Sequence, residues 1–349
     1  MSANSQRGVA LLTVLLLVVS ITVVAGAMLA SQKVAIRRSG VLFDHDQLLQ
    51  DIHAGQQVAV TRIRADNQLN DTDSLQDIWA QPMPPYMLGT HSVSVVWRDE
   101  ASRFNINNLY HDGATDTIAL AVFQRLLTQL NLEPDIARAV LDWQDPDSNI
   151  YVDGGNESTV YSQDNAVNTL PNQPFVSVEQ LQEVRGIDAA ALAALTPYIT
   201  AVPYYLPINI NTASPVLLAA LIEDITSEQL TPLTELRTSQ ALQAVDEVWQ
   251  LPPFSALSDE PRKALLPLLA IDSGAFMALI SVADNSDMQR QRYATVVIRK
   301  MAIHDTASTD TAPDKNTVNN IINNTQNSDK SDKKIQVISQ RLWAFRPSF

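Results

Sequence analysis

The sequence predicts an α+β protein: one long N-terminal helix packed on a small antiparallel sheet, with a large all-α insertion between strands. Three observations predict it. Residues 9–30 form an uncharged apolar run whose helical period carries on, now amphipathic, to about position 65. Alternating apolar residues mark strands near positions 91–108 and again from 275 onward. Between those blocks, from about 110 to 271, the apolar spacing turns helical.

Taken in order, the opening is "MSANSQRGVALLTVLLLVVSITVVAGAMLASQKVAIRRSG". A helix over residues 9–30 would rise roughly 33 Å at about 1.5 Å per residue, enough to cross a bilayer core. An ordinary secretory apolar region is about 7–15 residues and ends in a small-x-small site. Ala25, Gly26 and Ala27 supply such a site, so a cleaved signal sequence stays an alternative. Leu48, Ile52, Val58 and Ile63 continue the helix with polar residues between them. Arg7 precedes the apolar run and Lys33, Arg37 and Arg38 follow it, so charge alone does not set a membrane topology.

"DTDSLQDIWAQPMPPYMLG" is a loop by its Pro, Asp and Gly content. In "HSVSVVWRDEASRFNINNL", Val93, Val95 and Trp97 alternate, then Phe104, Ile106 and Asn108. That predicts strand, turn and strand, with "RDEAS" as the turn. "TDTIALAVFQRLLTQLNL" carries a helical stripe at Ile118, Ala121, Leu126, Leu127 and Leu130. "EPDIARAVLDWQD" is a helix with Pro134 in its first turn. "SVEQLQEVRGIDAAALAALTPYIT" reads as two short helices meeting at Arg185 and Gly186, with Ser177 and Gln180 as a capping box. "NTASPVLLAALIED" starts on Thr212 or Ser214, with Pro215 at its first position. "TSQALQAVDEVWQL" and "DEPRKALLPLLA" complete the helical block. "AFMALISVAD", "RYATVVIRKMAIH" and "KIQVISQRLWAF" are the last strands, and they join the earlier ones in one antiparallel sheet. The polar stretch between the last two, about 305–333, is a flexible loop by composition.

The chain has 349 residues and no cysteine, which excludes disulfides, thiolate metal sites and thiol nucleophiles. Its net charge is −14. Residues 110–275 hold 22 acidic and 6 basic side chains, so the helical block carries the whole deficit. Such a surface repels phosphate backbones.

The densest acidic stretch is "LDWQDPDSNIYVDGGNESTVYS", with Asp142, Asp145, Asp147, Asp153, Asn156 and Glu157. Hard cations such as calcium take six to eight oxygens from flexible loops, and a cation relieves the mutual repulsion of gathered carboxylates. The spacing is not that of an EF-hand, and a solvated acidic loop of turn formers is the other reading. Asp145 and Glu157 match a glycosidase pair by residue type alone, and aromatic residues are only 6%, too few for a sugar platform. "LQEVRGIDAAALAALTPYI" followed by "NINTAS" is similar to a helix-hairpin-helix module, whose turn holds phosphate. Here Asp188 stands where that turn would carry a second glycine, and Arg185 is the one basic residue nearby, so a packing unit without nucleic acid is the better reading. His45, His53, His91, His111 and His304 show no metal-ligand spacing. No phosphate loop or nucleophile motif stands out, and the sequon at Asn323 sits in a low-complexity stretch.

"RGVALLTVLLLVVSITVVAGAM" resembles a prepilin-type leader. With "WRDEASRFNINNL", "LDWQDPDS", "GGNESTVYS", "VEQLQEVRGI", "LTPYITAVP" and "NINTAS", the chain resembles the minor pseudopilin K family of the type II secretion system, within the type IV pilin-like superfamily. The resemblance implies a structural protein and not an enzyme. It implies a leader at 1–8, a membrane and filament-core helix at 9–30, a pilin-like part at 31–109, a helical domain of the SAM-like or helix-hairpin-helix-like kind at 110–271, and a second pilin-like part at 272–349. A prepilin peptidase would cut between Gly8 and Val9. The chain would lie in the inner membrane as a single-pass protein with its bulk in the periplasm. It would then move to the pseudopilus tip beside minor pseudopilins I and J, with H as a further partner, through an inner-membrane assembly platform. Calcium would fall on Asp142, Asp145, Asp147, Asp153 and Glu157, and the helical domain would meet exported proteins. Thr13 is then the fifth mature residue, where most pilin-like subunits carry a glutamate. A carboxylate there is implied to neutralise a neighbour's terminal amine, and a tip subunit has no subunit ahead of it to pair with. A membrane-anchored periplasmic module that binds exported proteins is the alternative.

Overall fold

The computed structural model describes residues 3–147, 151, 172–285, 287–301, 333–347 and 349. The chain opens with helix α1 (Ala3–Leu69), longer at both ends than its apolar pattern predicts. Strands β1 (Tyr86–Leu88) and β2 (His91–Asp99) follow. Two-residue strands β3 (Phe104–Asn105), β4 (Tyr110–His111) and β5 (Ala114–Thr115) lead into helices α2 (Thr117–Gln129) and α3 (Ile136–Asp142). Helix α4 (Ala189–Leu195), strands β6 (Ile199–Thr200) and β7 (Ile208–Asn209), and helices α5 (Pro215–Ala219), α6 (Thr231–Ser239) and α7 (Asp259–Leu265) come next. Strands β8 (Leu269–Ala270), β9 (Ala275–Asp284), β10 (Asp287–Met301) and β11 (Lys334–Trp343) end the chain's regular structure.

The main sheet has five strands in the order β1-β2-β9-β10-β11, every pair antiparallel. β2 and β9 are neighbours, with Asp99 opposite Phe276. The stretch between them is therefore one excursion that leaves the sheet and returns beside its own start. Closing such an excursion costs entropy that grows only slowly with its length, so a large insertion is tolerated where both ends already meet. The inserted stretch also holds the parallel pairs β3–β6 and β7–β8 and the hairpin β4–β5, so it is helical with small strand clasps.

Two hydrophobic cores result. In one, Leu48, Ile52, Ala59, Val60 and Ile63 of α1 cover Val93, Val95, Phe276, Ile280, Val282 and Val296 of the sheet. Gly55 marks the closest approach: a Cβ built there would lie 2.5 Å from Ile280 Cγ2 and 3.4 Å from Val93 Cγ1. Gly55→Ala gains roughly 1 kcal/mol in helix propensity. The branched Ile280 methyl cannot swing aside, and overpacking of this kind costs about 1–3 kcal/mol. The expected result is a lower melting temperature for the full chain in detergent micelles, and a melting temperature that rises would refute this packing.

The second core belongs to the inserted stretch, centred on Phe104, Phe123, Leu126, Leu141, Phe175, Leu195, Leu217 and Phe254. Several helix starts follow their sequence signals. Ser177 and Gln180 form the capping box of a 3₁₀ turn over Val178–Glu183. Ser214 Oγ accepts from Leu217 N at 3.2 Å, with Pro215 in the first position of α5.

Four predicted elements differ. The stretch read as a loop ends in strand β1, whose Tyr86–Leu88 pair with β2 across the turn that Gly89 makes at φ +58. "RDEASRFNINNL" does not close a hairpin; Phe104 and Asn105 pair in parallel with Ile199 and Thr200, and Ile106–Leu109 forms a 3₁₀ turn. The asparagines explain it, because their side chains replace a strand ladder. Asn107 Nδ2 donates to Phe175 O at 2.9 Å while Asn107 Oδ1 accepts from Phe175 N at 2.8 Å. Asn108 makes the same two-way bond with Leu206, at 2.8 and 2.9 Å. "TSQALQAVDEVWQL" is not one helix: α6 stops at Ser239 and a 3₁₀ turn covers Val245–Gln250. Asn211 claims the break, donating to Leu242 O at 3.1 Å and accepting from Leu242 N at 2.9 Å. "DEPRKALLPLLA" likewise divides, with α7 followed by a 3₁₀ turn over Leu266–Leu268 that holds Pro267.

A buried polar network joins the two cores. Asp99 Oδ2 accepts from Ser273 Oγ at 2.6 Å and from Thr212 Oγ1 at 2.5 Å. Asn209 Nδ2 donates to Ser273 Oγ at 2.8 Å and to Asp73 O at 2.9 Å. Lys300 Nζ donates to Asp73 Oδ2, which also accepts from Ser273 N at 2.6 Å. Burial pushes the Asp99 carboxyl up to about 7, with the Asp73 charge adding to it, against the pull of its hydroxyl donors. An unfolded aspartate titrates near 3.9. Between about pH 4 and 7 the folded chain therefore holds a proton that the unfolded chain has released, and stability falls as pH rises through that window. Melting temperatures taken from pH 4.5 to 7.5 are expected to slope downward, and Asp99→Asn to reduce the slope. An unchanged slope in the variant would overturn this.

Candidate functional site

Two features stand out, and the first is the free half of α1. Side chains 10–46 are exposed, and packing starts only at Gln47 and Leu48. Leu11 is 74% exposed, Leu16 71%, Ile36 73% and Phe43 70%. Among the described residues this is the one helix long and apolar enough to cross a membrane. The apolar surface does not stop where a bilayer core would: Val34, Ile36, Val41, Leu42 and Phe43 continue it beyond the basic residues Lys33, Arg37 and Arg38. Gly8 and Val9 lie in helical backbone. Thr13 Oγ1 donates to Ala10 O at 2.9 Å, so its hydroxyl is spent within its own helix and presents no charge.

The second is the acidic loop after α3. Asp142 is buried, and its Oδ1 accepts from Tyr151 N at 3.0 Å. Asp145 is 5% exposed and its Oδ1 has no hydrogen-bond partner. Burial pushes this carboxyl up to about 6, and the charges of Asp147 and Asp142 add to the shift. Asn172 ties the far side of the loop back, donating from Nδ2 to Asp147 O at 2.9 Å, while its buried Oδ1 also lacks a partner. Asp153 and Glu157 lie outside the described residues. Among the described residues no three acidic or histidine side chains converge on one point. The donors present are all oxygen, and an orphaned buried carboxylate oxygen among like charges fits a hard cation such as calcium.

The hairpin singled out for phosphate holds something else. Gly186 takes φ +85 with Ile136 packed against it, as a tight turn requires. Asp188 Oδ1 accepts from Ala191 N at 2.7 Å and caps α4 with a carboxylate. A phosphate at that helix start would meet this negative charge. The histidines also separate: His45 and His53 are exposed on α1, and His304 and Asn323 lie outside the described residues. His91 Nδ1 sits 2.5 Å from Asp51 Oδ2 and ties β2 to α1, a pairing no sequence spacing announced. His111 lies near Asp112 and Asp116 at 3.2 and 3.4 Å. The Asp73, Asp99 and Lys300 network was equally silent in the sequence, because its members lie more than 25 residues apart along the chain.

Two family models described as type II secretion system (T2SS), protein K match residues 102–204 and 208–272, which fill the excursion between β2 and β9. A type II secretion system protein K of Pseudomonas aeruginosa is 30% identical over 255 residues, covering 70% of this chain and 76% of its own length. The protein of that name from Klebsiella pneumoniae is 28% identical over 304 residues, covering 83% of this chain and 92% of its own length. Among solved structures, a chain in the crystal structure of the GspK-GspI-GspJ complex from the enterotoxigenic Escherichia coli type 2 secretion system shares the fold. Its TM-score is 0.70 at 19% identity, covering 88% of this chain and 100% of that one.

Proposed function

The chain belongs to the type II secretion system protein K family, and from that premise we propose that it is the minor pseudopilin that starts and caps the pseudopilus tip during export of folded proteins. The observation that carries this reading is the continuous α1. Its second half is built into a sheet core, and its first half is bare and apolar well past the length of a bilayer core. A bilayer covers roughly 20 helical residues. The exposed apolar side chains at 34, 36 and 41–43 need other cover, and the matching helices of neighbouring subunits supply it in a filament.

On this reading a prepilin peptidase cuts between Gly8 and Val9, and the precursor waits as a single-pass inner-membrane protein with its sheet and inserted stretch in the periplasm. Minor pseudopilins I and J are its neighbours in the tip, with H and the inner-membrane assembly platform as further partners. The inserted stretch rises from the β2 and β9 ends and adds bulk that a further subunit would have to displace. Thr13 agrees with a terminal place, since a tip subunit has no amine ahead of it to neutralise. The oxygen donors Asp142, Asp145 and Asp147 hold calcium, joined by Asp153 and Glu157. Bound calcium would supply charge neutralisation and a fixed loop, not chemistry on a substrate.

The reading is tested by co-expressing the chain with its prepilin peptidase and minor pseudopilins I and J. The expected result is a mature N-terminus at Val9 by intact mass and a stable complex of all three subunits on purification. An intact Met1, cleavage after Ala27, or purification of the chain alone would refute it.

A further inference from the structure

Charge is split unevenly along the chain. The first 43 residues hold four basic side chains, Arg7, Lys33, Arg37 and Arg38, and no acidic one. The remaining 306 hold the other 20 basic and all 38 acidic side chains, a net −18. Three of the four early positive charges fall within six positions, just past the apolar run, on the bare part of α1. All three side chains are exposed.

A charged residue on a helix finds its partners three or four positions away. No Asp or Glu stands at those distances from Lys33, Arg37 or Arg38. Lys33 and Arg37 are themselves four apart, a like-charge pair that weakens a helix. The first acidic residue, Asp44, is six positions past Arg38, roughly 9 Å along the axis. Packing on the sheet starts only at Gln47. Exposed charges are screened beyond about 8 Å at physiological salt, so the acidic bulk does not neutralise these three.

Their depth fits a bilayer boundary. Arg7 and Lys33 lie 26 positions apart, about 39 Å of helix. A bilayer measures about 40–45 Å with its headgroup layers included. With Arg7 at one headgroup layer, Lys33 reaches the other, and Arg37 and Arg38 lie one turn further out. Long basic side chains reach back along a helix to the headgroups while their stems stay on apolar surface. Val34 and Ile36, 67% and 73% exposed, interleave with them and give that surface. Basic residues also work against export of the segment that carries them, so three on the exported side are not explained by topology.

We propose that Lys33, Arg37 and Arg38 form a belt that binds the phosphate groups of anionic phospholipids in the leaflet from which α1 emerges toward the sheet. The proposal rests on reading α1 as the membrane span. The belt holds the helix at one depth and keeps the acidic bulk near a surface that would otherwise repel it.

The test places the full chain in nanodiscs of equal phosphatidylglycerol and phosphatidylcholine, and native mass spectrometry counts the lipids that stay on the ejected chain. The expected result is phosphatidylglycerol retained about fivefold over phosphatidylcholine, the ratio given by one basic side chain at an anionic surface. Lys33→Gln, Arg37→Gln and Arg38→Gln together should bring the two lipids level, with the melting temperature unchanged because all three side chains are exposed. Arg37→Lys with Arg38→Lys should keep the preference, and so should Arg7→Gln. Replacing chloride by inorganic phosphate at equal ionic strength should leave the ratio where it was. Equal retention of the two lipids by the parent chain would overturn the proposal. So would a preference that survives the triple variant, or one that inorganic phosphate erases. A chain that fails to enter the discs would overturn the span and the belt with it, whereas equal retention in a chain that has entered removes the belt alone.

Discussion

Lys300→Ala is expected to destabilise the full chain by about 3–5 kcal/mol, the usual loss when one member of a buried ion pair is removed. The Lys300 side chain is 2% exposed and that of Asp73 is 1%. The ammonium lies on β10, and its partner carboxylate sits in the loop after α1. Without the lysine, Asp73 would keep only the Ser273 amide as a donor to Oδ2 and would stand as a buried charge beside Asp99. The loss should reach both cores, because the same network carries Asn209 and Thr212 from the inserted stretch. Total stabilities of about 5–15 kcal/mol make such a loss a large share of the whole. Urea unfolding in detergent micelles measures it. The double variant Lys300→Met with Asp73→Asn removes both charges and should recover most of the loss, since replacing both members of a buried pair is often close to neutral. A loss in Lys300→Ala below about 1 kcal/mol, the worth of an exposed pair, would show that water reaches the site.

What the sequence disclosed follows from which forces are local. Strands β9, β10 and β11 were legible because each is rich in β-branched and other apolar residues and is bounded by polar turn stretches. The helix was legible from its apolar period, although not its last turn to Leu69, whose side chain is exposed. The caps at Ser177 and Ser214 act within four residues and were visible for that reason; Asp188 caps α4 in the same way but read only as a missing glycine. The "NINNL" stretch misled because alternation of Phe104, Ile106 and Asn108 has the period of a strand. Its asparagines instead bond to main chain 68 to 99 residues away, which no window along the sequence can contain. Of the candidate site, the acidic stretch was apparent from composition. That Asp145 is buried with an unmatched oxygen, while Asp142 is already held by Tyr151, depends on how α3 ends against the second core.

Removing calcium should separate these roles by sign as well as by size. A cation that binds only the folded chain stabilises it by about 2.7 kcal/mol at a hundredfold excess over its dissociation constant. The expected result is a melting temperature for the full chain that falls on chelation and is restored by calcium. Magnesium should restore less, because it demands a smaller and stricter oxygen shell than a flexible loop provides. Asp145→Asn should behave in the opposite sense on the two sides of this comparison. With chelator present, the amide removes a buried charge that Asp147 and Asp142 both oppose, so the variant should equal or exceed the parent chain in stability. With calcium present, the variant lacks a charged oxygen donor and should fall below the parent. Asp142→Ala is the contrasting case, because Asp142 Oδ1 already accepts from Tyr151 N and losing that acceptor should weaken the loop in both conditions. The crossing of the Asp145→Asn and parent melting curves is the decisive measurement. If the parent ignores chelation, or if Asp145→Asn keeps the full calcium response, then the unmatched Asp145 oxygen belongs to a solvated acidic loop and not to a metal site.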